Sequence, residues 1–171
     1  YTAGHQKRTT ELALALAEEM GLSEHQIKGV HMAGLIHDMG NISIPAEILS
    51  KPGKLNEVEF QLVRRHPQVA VEILKKIDFP WPVDVIVQQH HEKMNCSGYP
   101  QGLSVAEILL EARILCVADV VESIESHRPY RPALGIDKAL EEISKNRGIL
   151  YDQDVVDACL RLFKEKNFRY Q

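Results

Sequence analysis

Apolar residues recur at helical spacing along nearly the whole chain, and no segment alternates strictly between apolar and polar residues. Leu12, Leu16 and Met20 form one such stripe, which Gly21 ends. Residues three or four positions apart share one face of an α-helix, whereas a half-buried strand requires alternation. The sequence therefore predicts an all-α fold, a compact bundle of several helices.

Capping and stop signals divide the chain into separate helices. Ser23, Asn56 and Asp152 are favoured N-cap residues, and Pro67 suits the first turn of a helix. Residues 42–55 contain two prolines and predict a loop with one helical turn. The main predicted helices cover roughly 6–20, 23–38, 57–63, 67–74, 83–90, 106 or 110–126, 136–145 and 153–164.

Length and composition restrict the class of protein. A chain of 171 residues with an ordinary apolar share predicts a single domain over 1–171. The net charge of −4 argues against binding of a nucleic-acid polymer or of an anionic membrane surface. Cys96, Cys116 and Cys159 are too scattered for a disulfide framework, and no apolar run reaches membrane-spanning length. We therefore expect a cytoplasmic domain without membrane contact.

Asp119 lies within the most apolar stretch of the chain, residues 114–121. A carboxylate in such a helix is costly unless it meets a cation or several hydrogen-bond donors. Asp119 is therefore a candidate metal ligand.

Histidines mark the ends of several predicted helices. His37-Asp38 ends an apolar helix, where the helix dipole disfavours an aspartate cap. Neighbouring residues on a helix diverge by about 100°, so His90 and His91 can reach one site only where their helix ends. Taken singly, a histidine is more often a solvated side chain than a ligand. The full candidate set is His5, His37, Asp38, His66, His90, His91 and Asp119.

Five imidazoles and two carboxylates exceed the ligands of one tetrahedral ion. Mixed nitrogen and oxygen donors suit Fe, Mn, Ni or Zn better than Ca or Mg. A two-metal site bridged by Asp38 accounts for the number of ligands, and such sites hydrolyse phosphoesters.

The order of these residues resembles that of the HD-GYP family, a branch of the HD-domain metal-dependent phosphohydrolases. The resemblance covers nearly the whole chain and includes the loop Gly98-Tyr99-Pro100 after the histidine pair. It also includes the segments Lys51-Pro52-Gly53-Lys54-Leu55, Ala112-Arg113-Ile114 and Arg128-Pro129-Tyr130-Arg131.

The resemblance implies an HD-domain helical bundle with a buried centre of two divalent transition-metal ions, most often iron. It implies hydrolysis of cyclic di-GMP to pGpG, to GMP or to both. One ion is expected at His5, His37 and Asp119, and the other at His66, His90 and His91. Asp38 is expected to bridge the ions and, with His37, to form the catalytic pair.

Partners and context follow from the same resemblance. Family members are commonly attached to sensor domains, and some interact with GGDEF-type cyclases. The chain begins without methionine, and we expect it to be the catalytic part of a longer sensor protein.

Four residues are expected to bind substrate. We expect Gly98 to adopt an unusual backbone angle and Tyr99 to offer its ring or hydroxyl to the ligand; an ordinary tight turn is the alternative. Arg128 and Arg131 can bind phosphate, with capping of a helix C-terminus an equal alternative. Asn41 occupies the place of a lysine that in the family would lie near the phosphates.

The chain departs from the family pattern at three places. Tyr1 stands where a third-metal glutamate can occur, so two ions are expected. Asn41 replaces the usual lysine, and Asn95-Cys96 replaces the usual Asp-Gly ahead of Ser97. These changes predict weakened activity. A non-catalytic module that binds a cyclic dinucleotide or a protein is therefore the alternative function, and a different nucleotide substrate is a third.

Overall fold

The computed structural model describes residues 4–127 and 131–171, so Tyr1 and Arg128 lie outside the described residues. The described residues contain two short 3-10 helices (Met39–Ser43 and Val105–Glu107) and isolated β-bridges but no strand, which confirms the predicted all-α class. Within them, no helix is long and apolar enough to cross a membrane. The α-helices are α1 (His5–Glu19), α2 (Glu24–Ile36), α3 (Ala46–Leu49), α4 (Glu57–Val63), α5 (His66–Leu74), α6 (Val83–Gln89), α7 (Leu110–Glu125), α8 (Ile136–Lys145) and α9 (Gln153–Lys164).

The predicted N-caps form in the structure. Ser23 and Asn56 each accept a hydrogen bond from the backbone N–H three residues later and complete a capping box. The side chain of Asp152 accepts from the N–H groups of Asp154 and Val155 at the start of α9. These caps satisfy N–H groups that a helix leaves unpaired, which explains why the predicted boundaries agree closely with the observed ones.

Helix α7 forms the centre of the core. Its residues Ile114, Leu115, Val117 and Val121 are fully buried, and α1, α2, α6, α8 and α9 pack around it. Burying one such side chain contributes about 1.5–3 kcal/mol. Asp119 is carried by this same helix, so its carboxylate is held where the neighbouring helices converge.

Candidate metal centre

Five helices bring the predicted ligands together in space. They lie at the start of α1, the end of α2, the start of α5, the end of α6 and the middle of α7. Their ligand atoms form two groups, in each of which all atoms lie within 4.8 Å of one another. One group is His5, His37 and Asp119, and the other is Asp38, His66, His90 and His91.

Three of the histidines are anchored in the same way. Nδ1 of His37, His66 and His90 lies 2.7, 2.8 and 2.6 Å from the carbonyl oxygen of the residue three positions earlier. A carbonyl only accepts, so each Nδ1 carries the proton and donates. Each Nε2 is then a lone-pair donor, buried and without a hydrogen-bond partner among the described residues. A buried group of this kind is costly unless something binds it, and a metal ion is the usual partner.

Asp38 lies between the two groups. Its Oδ2 is 3.7 Å from Nε2 of His5 and 3.5 Å from Nε2 of His37. Its Oδ1 faces the other way, 3.5 Å from Nε2 of His66. Two oxygens directed at different sets of nitrogens are the arrangement that a bridging carboxylate requires.

His5 is held by a carboxylate that the sequence analysis missed. Its Nε2 lies 3.1 Å from Oδ1 of Asp119, and its Nδ1 makes a short contact with Oε2 of Glu122. Glu122 is fully buried and also accepts two hydrogen bonds from Arg8 and one from Ser126. A carboxylate behind a histidine fixes the orientation of the ring and makes it a better ligand. The available signal was a second acid one helical turn after Asp119 in the same apolar helix.

Burial keeps the imidazoles in the form that binds metal. It lowers the pKa of His90 to about 3, and the neighbouring His37 acts in the same direction. Burial and the adjacent His90 hold the pKa of His91 well below its ordinary value, and burial also lowers the pKa of His66. These rings are therefore neutral at physiological pH, as metal ligation requires.

The two carboxylates show the opposite balance. Burial alone would raise the pKa of Asp38 and Asp119. Burial is the largest single influence at both positions, but several lowering influences together outweigh it. At Asp38 these are the electrostatic influences of His37, His90 and His66. At Asp119 they are the hydrogen bond from His5 together with the neighbouring imidazoles. Both carboxyls therefore have a lowered pKa and are ionised, which places two negative charges beside the neutral rings of His66, His90 and His91.

Gly40 permits the close approach that brings His66 to the other ligands. A Cβ built on Gly40 would lie 1.8 Å from the backbone carbonyl oxygen of His66. Any side chain at position 40 would push the start of α5 away from Asp38. The glycine two residues after Asp38 is therefore part of the metal-site architecture.

The loop after His91 folds back onto the histidine pair. Buried Glu92 accepts the N–H groups of Gln101 and Leu103 at 2.8 and 2.9 Å and closes this loop. A Cβ on Gly98 would lie 2.4 Å from the carbonyl oxygen of His91, so Gly98 is needed for close approach. The predicted unusual backbone angle at Gly98 is wrong: the positive φ values in this loop are those of Cys96, at 64°, and Gly102, at 63°. Tight packing, which a sequence does not display, is the reason for the glycine.

Tyr99 packs directly on a predicted ligand. Its ring is stacked on that of His91, with centroids 4.8 Å apart and planes 24° apart. Its backbone N–H donates to the carbonyl of His91 at 3.2 Å. Burial raises the pKa of the Tyr99 hydroxyl, which therefore stays protonated and able to donate.

A cavity of about 640 Å³ opens above the ligands. Its floor is formed by His5, Asp38, His66, His91 and Asp119, with Tyr99, Asn41 and Arg131 beside them. Its outer wall, as we name it, consists of Ile48, Leu49, Leu55, Phe60 and Val63. The volume is within the usual range for small-molecule sites.

The predicted substrate-binding residues differ in where they lie. Asn41 and Tyr99 line the cavity, whereas exposed Cys96 is not among the described residues that line it. Arg131 also lines the cavity. Its Nη2 donates to the carbonyl of Ser123 near the C-terminus of α7, so the capping alternative holds for that nitrogen. Its Nη1 is buried and has no hydrogen-bond partner among the described residues. Arg128 lies outside the described residues.

The donor atoms fit divalent cations. Ligand bonds of about 2.0–2.2 Å place the donor atoms of one ion roughly 3–4.4 Å apart, and the observed separations from Asp38 and Asp119 are 3.1–3.9 Å. In each ligand group, nitrogen lone pairs and carboxylate oxygens point towards one another. A cation bound between them would relieve the repulsion of these lone pairs. The residues can therefore hold divalent metal.

Comparison with known proteins agrees with this geometry. The family model described as "HD domain" matches residues 2–155. The chain is 43% identical over 162 residues to the cyclic di-GMP phosphodiesterase response regulator RpfG of Xanthomonas campestris, covering 94% of this chain and 43% of that protein. It is 36% identical over 165 residues to a 3'3'-cGAMP-specific phosphodiesterase of Vibrio cholerae, covering 94% of this chain and 38% of that protein. The chain thus spans less than half the length of each relative.

A solved structure shows the same fold. Bd1817, an HDG"Y"P protein from Bdellovibrio bacteriovorus, superimposes with a TM-score of 0.76 at 18% identity. The match covers 94% of this chain and 51% of that one. At this identity the likeness concerns the arrangement of helices and not the chemistry.

Proposed function

The chain belongs to the HD domain family, and we propose that it is a metal-dependent phosphodiesterase that hydrolyses cyclic di-GMP to pGpG, GMP or both. The observation that carries the proposal is the pair of ligand groups that share Asp38 on the floor of an open cavity. The names of the relatives, which act on cyclic di-GMP or 3'3'-cGAMP, support the substrate class.

The proposed cofactor is two divalent transition-metal ions, of which iron is the first choice and Mn, Ni or Zn the alternatives. The nitrogen-rich donor set supports this choice over Mg or Ca. His5, His37 and Asp119 would hold one ion, His66, His90 and His91 the other, and Asp38 both. When bound, such ions neutralise charge on a phosphodiester and lower the pKa of water.

The chain's own residues bind and orient the substrate in this proposal. His37 and Asp38 would form the catalytic pair, since both would hold metal at the base of the cavity. Nη1 of Arg131 is a buried donor beside the cavity and would bind a phosphate oxygen. Tyr99 would donate its hydroxyl, and Asn41 would offer a neutral amide. Arg128 stays a proposed phosphate ligand from the resemblance alone.

The setting proposed for the reaction is the cytoplasm, which the three free cysteines support. Sensor domains and GGDEF-type cyclases are the proposed protein partners. The support for a signalling role is that RpfG is named a response regulator.

One experiment tests this function directly. Protein purified without oxygen is analysed for metal, and the same sample is incubated with cyclic di-GMP and, separately, with 3'3'-cGAMP. We expect about two metal ions per chain and release of pGpG or GMP. His90→Ala is the matched control, because it removes one buried ligand from the centre without changing the outer wall. Faster turnover of 3'3'-cGAMP would change the substrate assignment, and tight binding without turnover would favour the signalling module.

A further inference from the structure

The outer wall differs in chemistry from the floor of the cavity. Its five side chains are all apolar, and they come from the segment between the 3-10 helix Met39–Ser43 and α5, which also contributes Gly53 and Lys54 to the cavity lining. Phe60 leaves 42% of its surface exposed although it lines a cavity. The phosphates and riboses of a nucleotide are polar, so the reaction proposed at the floor does not require an apolar surface.

A stack of flat groups connects the outer wall to the floor. The guanidinium carbon of Arg64 lies 5.4 Å from the ring centroid of Phe60 and 4.8 Å from that of Tyr99. Tyr99 in turn stacks on His91. The order from the mouth of the cavity to the metal ligands is therefore Phe60, Arg64, Tyr99 and His91. In the described part of the chain, the Arg64 side chain has no hydrogen bond or ion pair, so the two rings hold it by cation–π contact.

We propose that the outer wall is a nucleobase subsite in which a purine of the substrate packs against the ring of Phe60. The inference rests on the proposed function, because it assumes a phosphodiester that carries bases. A purine is flat and wide and has two apolar faces, and its phosphate is one sugar away. A molecule whose phosphate lies over Asp38 would thus carry its base outward to the wall. Aromatic side chains stack with bases in many nucleotide-binding proteins.

Arg64 is a positioning residue in this arrangement. Its guanidinium group lies against the rings of both Phe60 and Tyr99. It therefore fixes the distance between Phe60, on which the base would pack, and Tyr99. Loss of Arg64 would let the Phe60 ring turn about its side-chain bonds. The wall therefore depends on a cation that is held by aromatic rings and has no carboxylate partner among the described residues.

The test compares two residues of α4. Phe60→Ala removes the platform, and Leu62→Ala is the matched control, because Leu62 is 38% exposed on the same helix but is not among the described residues that line the cavity. Phe60→Trp restores a ring and should rescue binding. For each variant, KM and kcat are measured with cyclic di-GMP, and a rate is measured with methyl p-nitrophenyl phosphate, a diester without a nucleobase.

We expect Phe60→Ala to raise KM for cyclic di-GMP about ten- to a hundredfold. Its rate on methyl p-nitrophenyl phosphate and its metal content should stay close to those of the parent, as should all values for Leu62→Ala. An unchanged KM in Phe60→Ala overturns the subsite, as does an equal loss on both substrates. If the parent binds cyclic di-GMP without hydrolysing it, calorimetric dissociation constants replace KM. The subsite can then stand although the phosphodiesterase proposal fails. A parent that neither binds nor hydrolyses cyclic di-GMP overturns both.

Discussion

The floor of the cavity and its outer wall are held in place by different means. In the ligand groups to which the floor residues belong, His37 and His90 are fully buried, and each is fixed by a hydrogen bond to a carbonyl in its own helix. On the wall, Phe60 is half exposed and contacts Arg64 through its ring. Buried directional bonds fix a side chain to one orientation, whereas exposed apolar contacts tolerate change. The floor is therefore organised before any ligand arrives, and substrate preference can vary at the wall without disturbing it.

The departures from the family pattern follow the same division. Of the positions that depart from the pattern, Asn41 lines the cavity, and the seven predicted metal ligands lie together in the two ligand groups. Cys96 adopts a positive φ, for which the usual glycine is better suited, but it is exposed and lies away from the described lining of the cavity. The change at Asn41 thus concerns chemistry, and the change at Cys96 concerns backbone conformation.

The largest effect is expected from Asp38→Ala, which would break the floor. Because Asp38 faces both ligand groups, the variant should lose both metals, whereas His37→Ala should lose mainly one. Turnover should fall by about a thousandfold or more, since such ions contribute several kcal/mol. Elemental analysis and product release measure the two effects. Retention of both metals in Asp38→Ala would show that this carboxylate is no bridge.

Glu122→Gln tests whether the contact between Glu122 and His5 contributes to metal affinity. We expect metal affinity to fall about ten- to a hundredfold, because Glu122 orients His5. Ser126→Ala is the control, since it removes one hydrogen bond to Glu122 and leaves the contact with His5. Competition with a chelator measures the affinity. A lower melting temperature at unchanged metal affinity would make Glu122 a structural residue only.

Asn41→Lys tests the substrate side and should leave the floor intact. A hydrogen bond from a charged donor to phosphate contributes roughly 1.5–3 kcal/mol, or about one to two orders of magnitude in rate or binding. We expect faster turnover of cyclic di-GMP with the same metal content. Cys96→Gly, which is off the cavity, should change turnover little. Equal rates for Asn41→Lys and its parent would move the binding-module function ahead.

The smallest effect is expected on the melting temperature of the metal-free protein as the pH is lowered. The pKa of His90 is about 3 when folded, against 6.5 for an ordinary histidine, so the unfolded chain binds more protons between these values. The contribution of His90 to the free energy of unfolding is therefore fully present above about pH 6.5 and is lost as the pH drops towards 3. The carboxylates, with lowered pKa values, add to the loss only below about pH 4. Melting temperature should fall by about 3 °C or more per pH unit.

The control for this prediction replaces a buried and an exposed histidine in turn. His90→Leu should flatten the dependence of melting temperature on pH, whereas His25→Gln, at an exposed position, should not. A melting temperature that is constant between about pH 6.5 and 4 would contradict the assignment of His90 as a buried neutral ring.

Much of the fold follows from local signals. The caps at Ser23, Asn56 and Asp152, and the residues 136–145 and 153–164, agree with the structure because helix boundaries depend on nearby residues. The resemblance to HD-GYP proteins is confirmed by the relatives, and the predicted ligands come together in the structure. Their roles as ligands, and those of Tyr99, Asn41 and Arg131 towards substrate, stay predictions.

The remaining features depend on distances that no local pattern displays. The sequence by itself determined the helices, the unusual aspartate in an apolar helix and the set of histidines, because each is a matter of residue type and spacing. Tertiary structure alone decided that Glu122 supports His5 from 117 positions away, that Gly98 lies against the backbone of His91, and that Arg64 lies against Tyr99. Contacts of this kind arise when helices pack, and packing depends on the fit of whole surfaces and not on the periodicity of any one segment.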